Sequence, residues 1–345
     1  MLYRFQIVCL VLFSVVLKGQ DSVSYTFQNR MDINDSLVDS GMKTILWNGG
    51  LLTLGYAYDS GIVNLGTTLS FTDTNGVLVW KKTFFHPTSN ILQGNDIFAF
   101  DSSSFYVIGI KYTDSINNLD PYLAKFNSVG DSVFFTYFPD VGYNYALHAL
   151  PLSPDSIVVL SSWKDSTYAM YVRNKIWMTD TAGGYTTLHF ANPSLKFSYQ
   201  LIKHGNNYFL GGNRRTSASS SFYLKVFIDV FGPGFNQVGA INPSTTLNEY
   251  YNQLFIFNKT LYLGREISTY NGLNGNPFYK LKIDRFNSSY GLVHEDLLGG
   301  FWQNIYWARA INLNDSVVIL PKYHANYTAF YIADANFDSI TQFKA

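Results

Sequence analysis

Leu51-Leu-Thr-Leu-Gly55-Tyr-Ala-Tyr58 is a short apolar run that contains a glycine, and similar runs return five more times along the chain. A constant period of this length is typical of repeat architectures in which every unit is one supersecondary element. The run therefore predicts six repeated units. The residues at the position of Gly55, 50 to 57 residues apart, are Gly109, Ser161, Gly211, Gly264 and Pro321.

Each run follows a polar turn of two to four residues, and another apolar segment precedes that turn. Asn, Asp and Gly tolerate the left-handed backbone that a tight hairpin requires. We therefore expect an antiparallel hairpin at the start of every unit. The turns are Asn48–Gly50, Asp101–Ser104, Pro154–Ser156, Gly205–Asn207, Asn258–Thr260 and Asn314–Ser316.

A third strand is predicted where apolar and polar residues alternate, as in Phe278–Asp284, with Tyr279, Leu281 and Ile283 on one face. Equivalent segments end near Asp73, Asn127, Asp180, Asp229 and Asp334. A turn and a fourth strand follow, and each unit of about 52 residues then holds four short antiparallel strands. The fourth strands include Val77–Phe85, Ser132–Phe138, Tyr185–Phe190 and Ser339–Ala345.

The fold class predicted from this pattern is all-β, a β-propeller of about six four-stranded blades, because stacked blades cover each other's faces. We expect a single domain over residues 21–345. Val23–Asn29 resembles a fourth strand, so it would close the ring, or it would belong to a seventh blade if the chain is a fragment. The predicted repeats cover about 43–96, 97–146, 147–198, 199–251, 252–306 and 307–345.

Residues 1–20 have the order of a secretory signal peptide: Arg4 in a charged head, the apolar segment 5–17, and then Lys18-Gly19-Gln20. The alternative is a buried first strand. We predict export, to the medium or the cell surface. Cleavage near Gly19 would also remove Cys9, the only cysteine, which excludes a disulfide or a thiol nucleophile from the exported chain.

The charge balance argues against a nucleic-acid-binding protein, which would show a basic excess. The chain has 24 basic and 24 acidic residues, and loss of Arg4 and Lys18 leaves 22 basic residues against 24 acidic ones. We also expect no transmembrane segment after signal removal, no cofactor and a monomer.

One unit is especially complete: Leu69-Ser-Phe-Thr-Asp-Thr-Asn-Gly-Val-Leu-Val-Trp80, followed by Lys81-Lys-Thr-Phe84. It resembles the propeller-type repeats of secreted proteins from type IX-secreting bacteria. The resemblance implies export and a propeller, and it implies little about activity. Such proteins commonly end in a C-terminal sorting domain, which does not follow Ala345 in this sequence.

No catalytic motif is recognised, so catalytic residues are not assigned. The Gly-x-Ser-x-Gly elbow, the phosphate-binding loop, His-Glu-x-x-His and the dinucleotide motif are all missing. No metal site is predicted, because the six histidines are spread over different units. Oxygen ligands alternate over Met31–Gly41, but a polar linker explains them better than calcium does. Neighbours in a strand point to opposite faces, so His294-Glu295-Asp296 does not suit acid–base catalysis.

Aromatic and amide residues recur in the connections between predicted blades. Flat aromatic faces and amides suit sugars or peptides, so these residues could surround a ligand at the mouth of the channel. The alternative is that the tyrosines simply pack between blades. The candidate ligand-binding residues are Asp96, Tyr145, Tyr199, Tyr251, Trp307 and Arg309.

The function predicted from the sequence is that of an exported, non-enzymatic propeller that recognises a glycan or protein partner. The alternative is an extracellular polysaccharide hydrolase or lyase on the same scaffold, against which the presence of only three glutamates argues. A module of a longer adhesin is a third possibility.

Overall fold

A computed structural model describes residues 39–61, 63–112, 119–138, 143–153, 155–164, 172–180, 184–190, 195–216, 224–243, 248–270, 277–302, 305–307, 311–314, 317–324, 327–334 and 340–344. Within these ranges the chain forms 25 β-strands and no helix, as the sequence predicts. No helix in this part of the chain is long and apolar enough to cross a membrane. The predicted signal peptide, strand Val23–Asn29 and nearly all of the Met31–Gly41 segment lie outside the described residues.

The strands follow one another in six groups, of which the first five have four strands each and the last has five. The first three groups are β1 (Asp39–Trp47), β2 (Gly50–Tyr58), β3 (Leu65–Thr72) and β4 (Leu78–Phe84); β5 (Leu92–Ala99), β6 (Ser104–Tyr112), β7 (Leu119–Asn127) and β8 (Ser132–Tyr137); and β9 (Tyr143–Ser153), β10 (Ser156–Lys164), β11 (Val172–Thr179) and β12 (Tyr185–Phe190). The last three are β13 (Lys196–His204), β14 (Asn207–Arg215), β15 (Leu224–Phe231) and β16 (Gln237–Ile241); β17 (Asn248–Phe257), β18 (Thr260–Tyr270), β19 (Pro277–Phe286) and β20 (Leu292–Trp302); and β21 (Ile305–Trp307), β22 (Ile311–Asn314), β23 (Val317–His324), β24 (Tyr327–Asp334) and β25 (Ile340–Lys344).

Within each group, strands pair antiparallel in chain order, which confirms the predicted four-stranded repeat. We call the six groups sheets 1 to 6. Sheets 2 and 3 form one eight-stranded sheet, because Leu119 and Tyr143 make a single parallel pair between β7 and β9. The chain divides into two compact units, Met1–Ser166 with Trp177–Thr186, and Thr167–Ile176 with Thr187–Ala345.

In sheet 6, β21 and β22 pair with β23 on either side of Pro321. Pro321 lies inside β23 and pairs with Phe330 of β24. Proline has no backbone N–H to donate, so Pro321 removes one possible hydrogen bond from the ladders of β23.

The hairpin turns have the predicted chemistry. Asn48 and Gly49 have φ angles of 47° and 73°, and Asn258 and Lys259 have φ angles of 45° and 56°. Two successive positive φ angles characterise the type I′ turn, whose twist matches that of paired strands. The first hairpins of sheets 1 and 5 therefore form as the sequence indicates.

A β-bulge interrupts the first strand of sheets 1 to 5, and the sequence does not reveal it. The extra residue is Met42 in β1, Asn95 in β5 and Leu147 in β9. It is Tyr199 in β13 and Asn252 in β17. These residues are 52 or 53 residues apart. An extra residue bends the strand and changes the direction of the side chains that follow.

The bulge explains why a glycine lies opposite the bulged segment on the second strand of sheets 2 and 4. A Cβ at Gly109 would lie 2.1 Å from the carbonyl oxygen of Gln93, and a Cβ at Gly212 would lie 2.1 Å from that of Phe197. The backbone of the first strand therefore comes close to Gly109 and leaves no room for a side chain there.

The register corrects the predicted equivalence in sheets 4 and 5. Gly55 pairs with Gly41, the residue before the bulge, and its counterpart in sheet 4 pairs with Ser198. That counterpart is Gly212, not Gly211. In sheet 5 the counterpart is Arg265, not Gly264, because Arg265 pairs with Tyr251.

The position of Asp229 also differs from the predicted one. Asp229 lies inside β15, whereas Asp73 directly follows the end of β3. The turns after the third strands of sheets 4 and 5 begin at Gly232 and Asn287, which repeat the hydrogen bonds of the Asp73 turn. Asp229 is instead buried, and Lys196 Nζ donates to both of its carboxylate oxygens at 2.8 Å.

The cores described lie between sheets 1 and 2, between sheets 2 and 3, and between sheets 4 and 5. Leu52, Leu54 and Leu69 of sheet 1 pack with buried residues of sheet 2, including Val107 and Phe126. A second core joins sheets 4 and 5 and comprises Phe209, Val226, Ile228, Val230, Leu254, Leu261, Leu263 and Phe286. Burial of these facing surfaces is the main force that holds neighbouring sheets together.

Candidate functional site

A charged cluster joins the first strands of sheets 1, 2 and 3. Lys43, Asp96 and His148 each follow the bulge in their strand. Lys43 Nζ donates to Asp96 Oδ1, and His148 Nε2 lies 3.7 Å from Asp96 Oδ2. The Asp96 side chain is 1% exposed, whereas that of Lys43 is 30% exposed, so solvent reaches the cluster through Lys43. We call these three residues the Lys43–Asp96–His148 cluster.

The surroundings of Asp96 keep its carboxylate ionised. Burial would raise the pKa, but the charges of His148 and Lys43 and two hydrogen bonds, from Lys43 and from the Ala149 N–H, hold the pKa of Asp96 below its usual range. Ala149 N–H donates to Oδ2 at 2.9 Å, and Ile97 N–H donates to Oδ1 at 2.9 Å. An opposite charge and hydrogen bonds to the charged form both favour that form.

Sheet 4 has a neutral counterpart of Asp96. Gln200 also follows the bulge, and its Oε1 accepts a hydrogen bond from Leu254 N–H at 2.9 Å while its Nε2 donates to the Leu254 carbonyl at 3.0 Å. Leu254 of sheet 5 corresponds to Ala149 of sheet 3. An uncharged side chain at this position can therefore form the hydrogen bonds that link one sheet to the next.

Asp96→Asn is expected to lower the free energy of unfolding at neutral pH by about 2 kcal/mol, because it removes the charge that pairs with the Lys43 ammonium and faces the His148 imidazole. The Asp96 pKa is lowered by folding, so its contribution is complete above the unfolded pKa of about 3.9 and is lost as the pH falls through the folded value. Denaturant unfolding at several pH values should show the two proteins converging below about pH 4.

Asp131→Asn is the matched control, because Asp131 pairs with Lys82 but is 62% exposed. Exposed ion pairs contribute little to stability. A difference between wild type and Asp96→Asn that stays constant down to pH 3 would contradict the assignment.

The sequence identified Asp96 but missed Lys43 and His148. Their signal was present, since Lys43 precedes Asp96 by 53 residues and His148 follows it by 52. The equivalent position of three successive repeats is thus a lysine, an aspartate and a histidine. The apolar runs do not show this recurrence, because it lies on the first strand of each repeat and the runs lie on the second.

Two predicted site residues come together, but their contacts favour the packing alternative. The rings of Tyr199 and Tyr251 stack with centroids 6.0 Å apart. The Tyr251 hydroxyl donates to Gln200 Oε1 at 2.8 Å, and a Cβ on Gly211 would lie 2.4 Å from the Tyr251 ring. Tyr199, the bulge residue, is 42% exposed, and partial burial raises its pKa against the opposing charge of Arg215.

The remaining predicted site residues cannot be placed at a site. Tyr145 lies in β9 and Trp307 in β21, and only their backbone is described. Arg309 lies outside the described residues. The backbone of His294, Glu295 and Asp296 lies in β20, and their side chains are not described.

A second charged group is fully buried between sheets 4 and 5. Arg265 binds Asp284 through Nε at 2.6 Å and Nη2 at 3.2 Å, and it binds Glu249 Oε1 through Nη1 at 2.7 Å. All three side chains are at most 1% exposed. We call these residues the Glu249–Arg265–Asp284 triad. Its burial suits a structural role and leaves no path for a ligand.

Solved structures with a similar fold include those of an oxygenase. A Trp149Ala mutant of Synechocystis apocarotenoid oxygenase matches with a TM-score of 0.50 and 12% identity, over 88% of this chain and 71% of that chain. Cobalt-substituted Synechocystis apocarotenoid oxygenase matches with a TM-score of 0.50 and 11% identity over the same shares. These neighbours are propellers. The fold is a β-propeller. No family model and no curated protein sequence matches the chain.

This comparison corrects the function predicted from the sequence. A non-enzymatic propeller that recognises a glycan or protein was expected, with a polysaccharide hydrolase or lyase as the alternative. The two solved structures reported above are instead those of an oxygenase, which is an enzyme. The prediction rested on the lack of catalytic motifs. In a propeller enzyme, active-site residues that come from separate blades form no compact sequence motif, so this lack is a weak argument.

One of these neighbours is cobalt-substituted, and the described side chains of this chain do not form a cluster of metal ligands. Among the described side chains, no three His, Cys, Asp or Glu residues lie together in a way that could hold a metal ion. His86 packs against Tyr137, and His204 Nε2 donates to the Lys259 carbonyl at 2.9 Å.

Proposed function

We propose that this chain is an enzyme of oxygenase type that acts on an apocarotenoid. The observation that carries the proposal is the fold similarity to apocarotenoid oxygenase over 88% of the chain. At 12% and 11% identity the similarity concerns the fold, so the reaction and substrate are the content of the proposal.

The sequence is compatible with this proposal, because it lacks the motifs of other common enzyme classes and the charge of a nucleic-acid-binding protein. It has no nucleophile elbow, phosphate-binding loop or dinucleotide motif, which are the motifs of other common enzyme classes. Its charge balance does not suit nucleic acid as a substrate. An apolar substrate with one polar end is compatible with both observations.

The experiment is turnover of an apocarotenal, a conjugated polyene that ends in an aldehyde. We expect the purified chain to remove the polyene absorbance in air-saturated buffer, with dioxygen consumed in proportion, and not to do so under argon. The metal content of the same sample should be measured, since the described residues do not form a metal centre. A folded chain that consumes no substrate in air would overturn the proposal.

A further inference from the structure

The turn between the third and fourth strands contains a left-handed residue in the four sheets where that turn is described. In sheets 1 and 2 it is a glycine, Gly76 or Gly130, with φ angles of 79° and 78°. In sheets 4 and 5 it is Phe235, with a φ angle of 58°, and Tyr290, with a φ angle of 62°. A left-handed backbone is strained for a bulky side chain, so contacts of each aromatic residue must hold it there.

Tyr290 makes these contacts with the neighbouring sheet. Phe235 stacks on Tyr208 of its own sheet, with ring centroids 4.2 Å apart. Tyr290 belongs to sheet 5, yet its ring packs edge-on against Phe209 of sheet 4, with centroids 4.7 Å apart. The Tyr290 hydroxyl accepts a hydrogen bond from Asn207 Nδ2 at 3.3 Å. Phe209 is fully buried in the core between the two sheets, and Tyr290 covers that core beside the first hairpin of sheet 4.

We infer that residues 287–291, which we call the strap, close over the first hairpin of sheet 4 through the Tyr290 side chain, and that the strap opens while the rest of both sheets stays folded. In the open state the Tyr290 ring leaves Phe209, and the Tyr290 backbone leaves the left-handed region. The inference does not depend on the proposed function.

The strap has few ties to the rest of the protein. The other hydrogen bonds described for it are internal, since Asn287 N–H donates to the Gly291 carbonyl. Asn287 Oδ1 also accepts from the N–H groups of Ser289 and Gly291, at 2.9 and 2.8 Å. Ser288 and Ser289 are exposed. Opening therefore breaks few contacts and releases the strain at Tyr290, as in elements that open below the energy of global unfolding.

Other contacts keep sheets 4 and 5 together when the strap is open. The Glu249–Arg265–Asp284 triad and the apolar core lie between the same two sheets. His204 Nε2 donates to the Lys259 carbonyl and so links the first hairpins of both sheets. None of these contacts involves the backbone of the strap, so the opening stays local.

Hydrogen exchange followed by mass spectrometry tests the inference in two segments, residues 201–212 of sheet 4 and the strap itself. Tyr290→Ala removes the ring and keeps the strain, so exchange in both segments should become about tenfold faster or more. Tyr290→Gly removes the ring and the strain together. Exchange in residues 201–212 should then be as fast as in Tyr290→Ala, while exchange in the strap should be about fivefold slower than in Tyr290→Ala.

Two variants are the controls. Tyr290→Phe keeps the ring and loses only the bond from Asn207, so exchange in both segments should stay within about threefold of wild type. Ser288→Ala changes an exposed residue of the strap and should exchange like wild type.

Three results would overturn the inference. Equal exchange of the strap in Tyr290→Gly and Tyr290→Ala would show that the backbone is not strained. Unchanged exchange in residues 201–212 would show that the strap does not close over sheet 4. Faster exchange throughout sheets 4 and 5, or failure of both Tyr290→Ala and Tyr290→Gly to fold, would show that the opening is not local. If only Tyr290→Ala fails to fold, the comparison of Tyr290→Gly with wild type in residues 201–212 decides.

Discussion

Arg265→Ala is expected to lower the free energy of unfolding by about 3–5 kcal/mol, or to prevent folding altogether. The guanidinium is the partner of two carboxylates, Glu249 and Asp284, that are fully buried between sheets 4 and 5. Removing it leaves negative charge without a partner in a region that water does not reach, and such a charge costs far more than the pair contributes. Denaturant unfolding followed by tryptophan fluorescence measures the loss.

Two further variants show whether charge is the cause. Lys196→Met breaks an ion pair at which the lysine is 32% exposed, and we expect a loss of about 1 kcal/mol. Adding Glu249→Gln and Asp284→Asn to Arg265→Ala removes the buried charges and should recover part of the stability. A loss below 1 kcal/mol for Arg265→Ala would contradict the assigned role of the triad.

Gly109→Ala is expected to lower the free energy of unfolding by about 2–3 kcal/mol. The added Cβ would lie 2.1 Å from the Gln93 carbonyl oxygen and 2.6 Å from the ring of Tyr122. The oxygen belongs to the backbone beside a bulge, so the first strand of sheet 2 would have to move. Thermal and denaturant unfolding measure the effect.

Gly239→Ala and Gly264→Ala are the controls for the glycine prediction. A Cβ at Gly239 meets nothing within 4 Å, and one at Gly264 lies 3.3 Å from the side chain of Asn252. Both variants should stay within about 0.5 kcal/mol of wild type. If Gly109→Ala were equally mild, the bulge would not be the reason for the glycine.

The repeat could be predicted from sequence because its signals are local. Apolar runs and turn residues such as Asn48 and Gly49 lie next to each other in the chain, and each restricts the backbone directly. The fourth strand Tyr185–Phe190 was predicted to the residue for the same reason. Export and the likeness to secreted type IX proteins remain predictions.

The finer register could not be predicted, because it depends on contacts one repeat away. A bulge adds one residue without changing composition, so Tyr199 resembles any strand tyrosine in the sequence. Arg265 occupies a position that is otherwise small because its carboxylate partners come from β17 and β19. Sequence spacing alone therefore selected Gly264.

The site was missed for the same physical reason. Lys43, Asp96 and His148 belong to three separate strands, and only the packing of sheets 1 to 3 brings them together. The sequence-based site prediction rested mainly on aromatic residues. In the structure, the Tyr251 ring packs against Gly211 and its hydroxyl donates to Gln200.

Incorporation of isotope from ¹⁸O₂ tests the central proposal most directly. The purified chain is incubated with an apocarotenal under ¹⁸O₂ in ordinary water, and the products are analysed at once by mass spectrometry. An oxygenase transfers oxygen atoms from dioxygen, so we predict labelled products that are not formed without the chain. Products that carry only oxygen from water, or no products at all, would contradict the assignment of this propeller as an oxygenase.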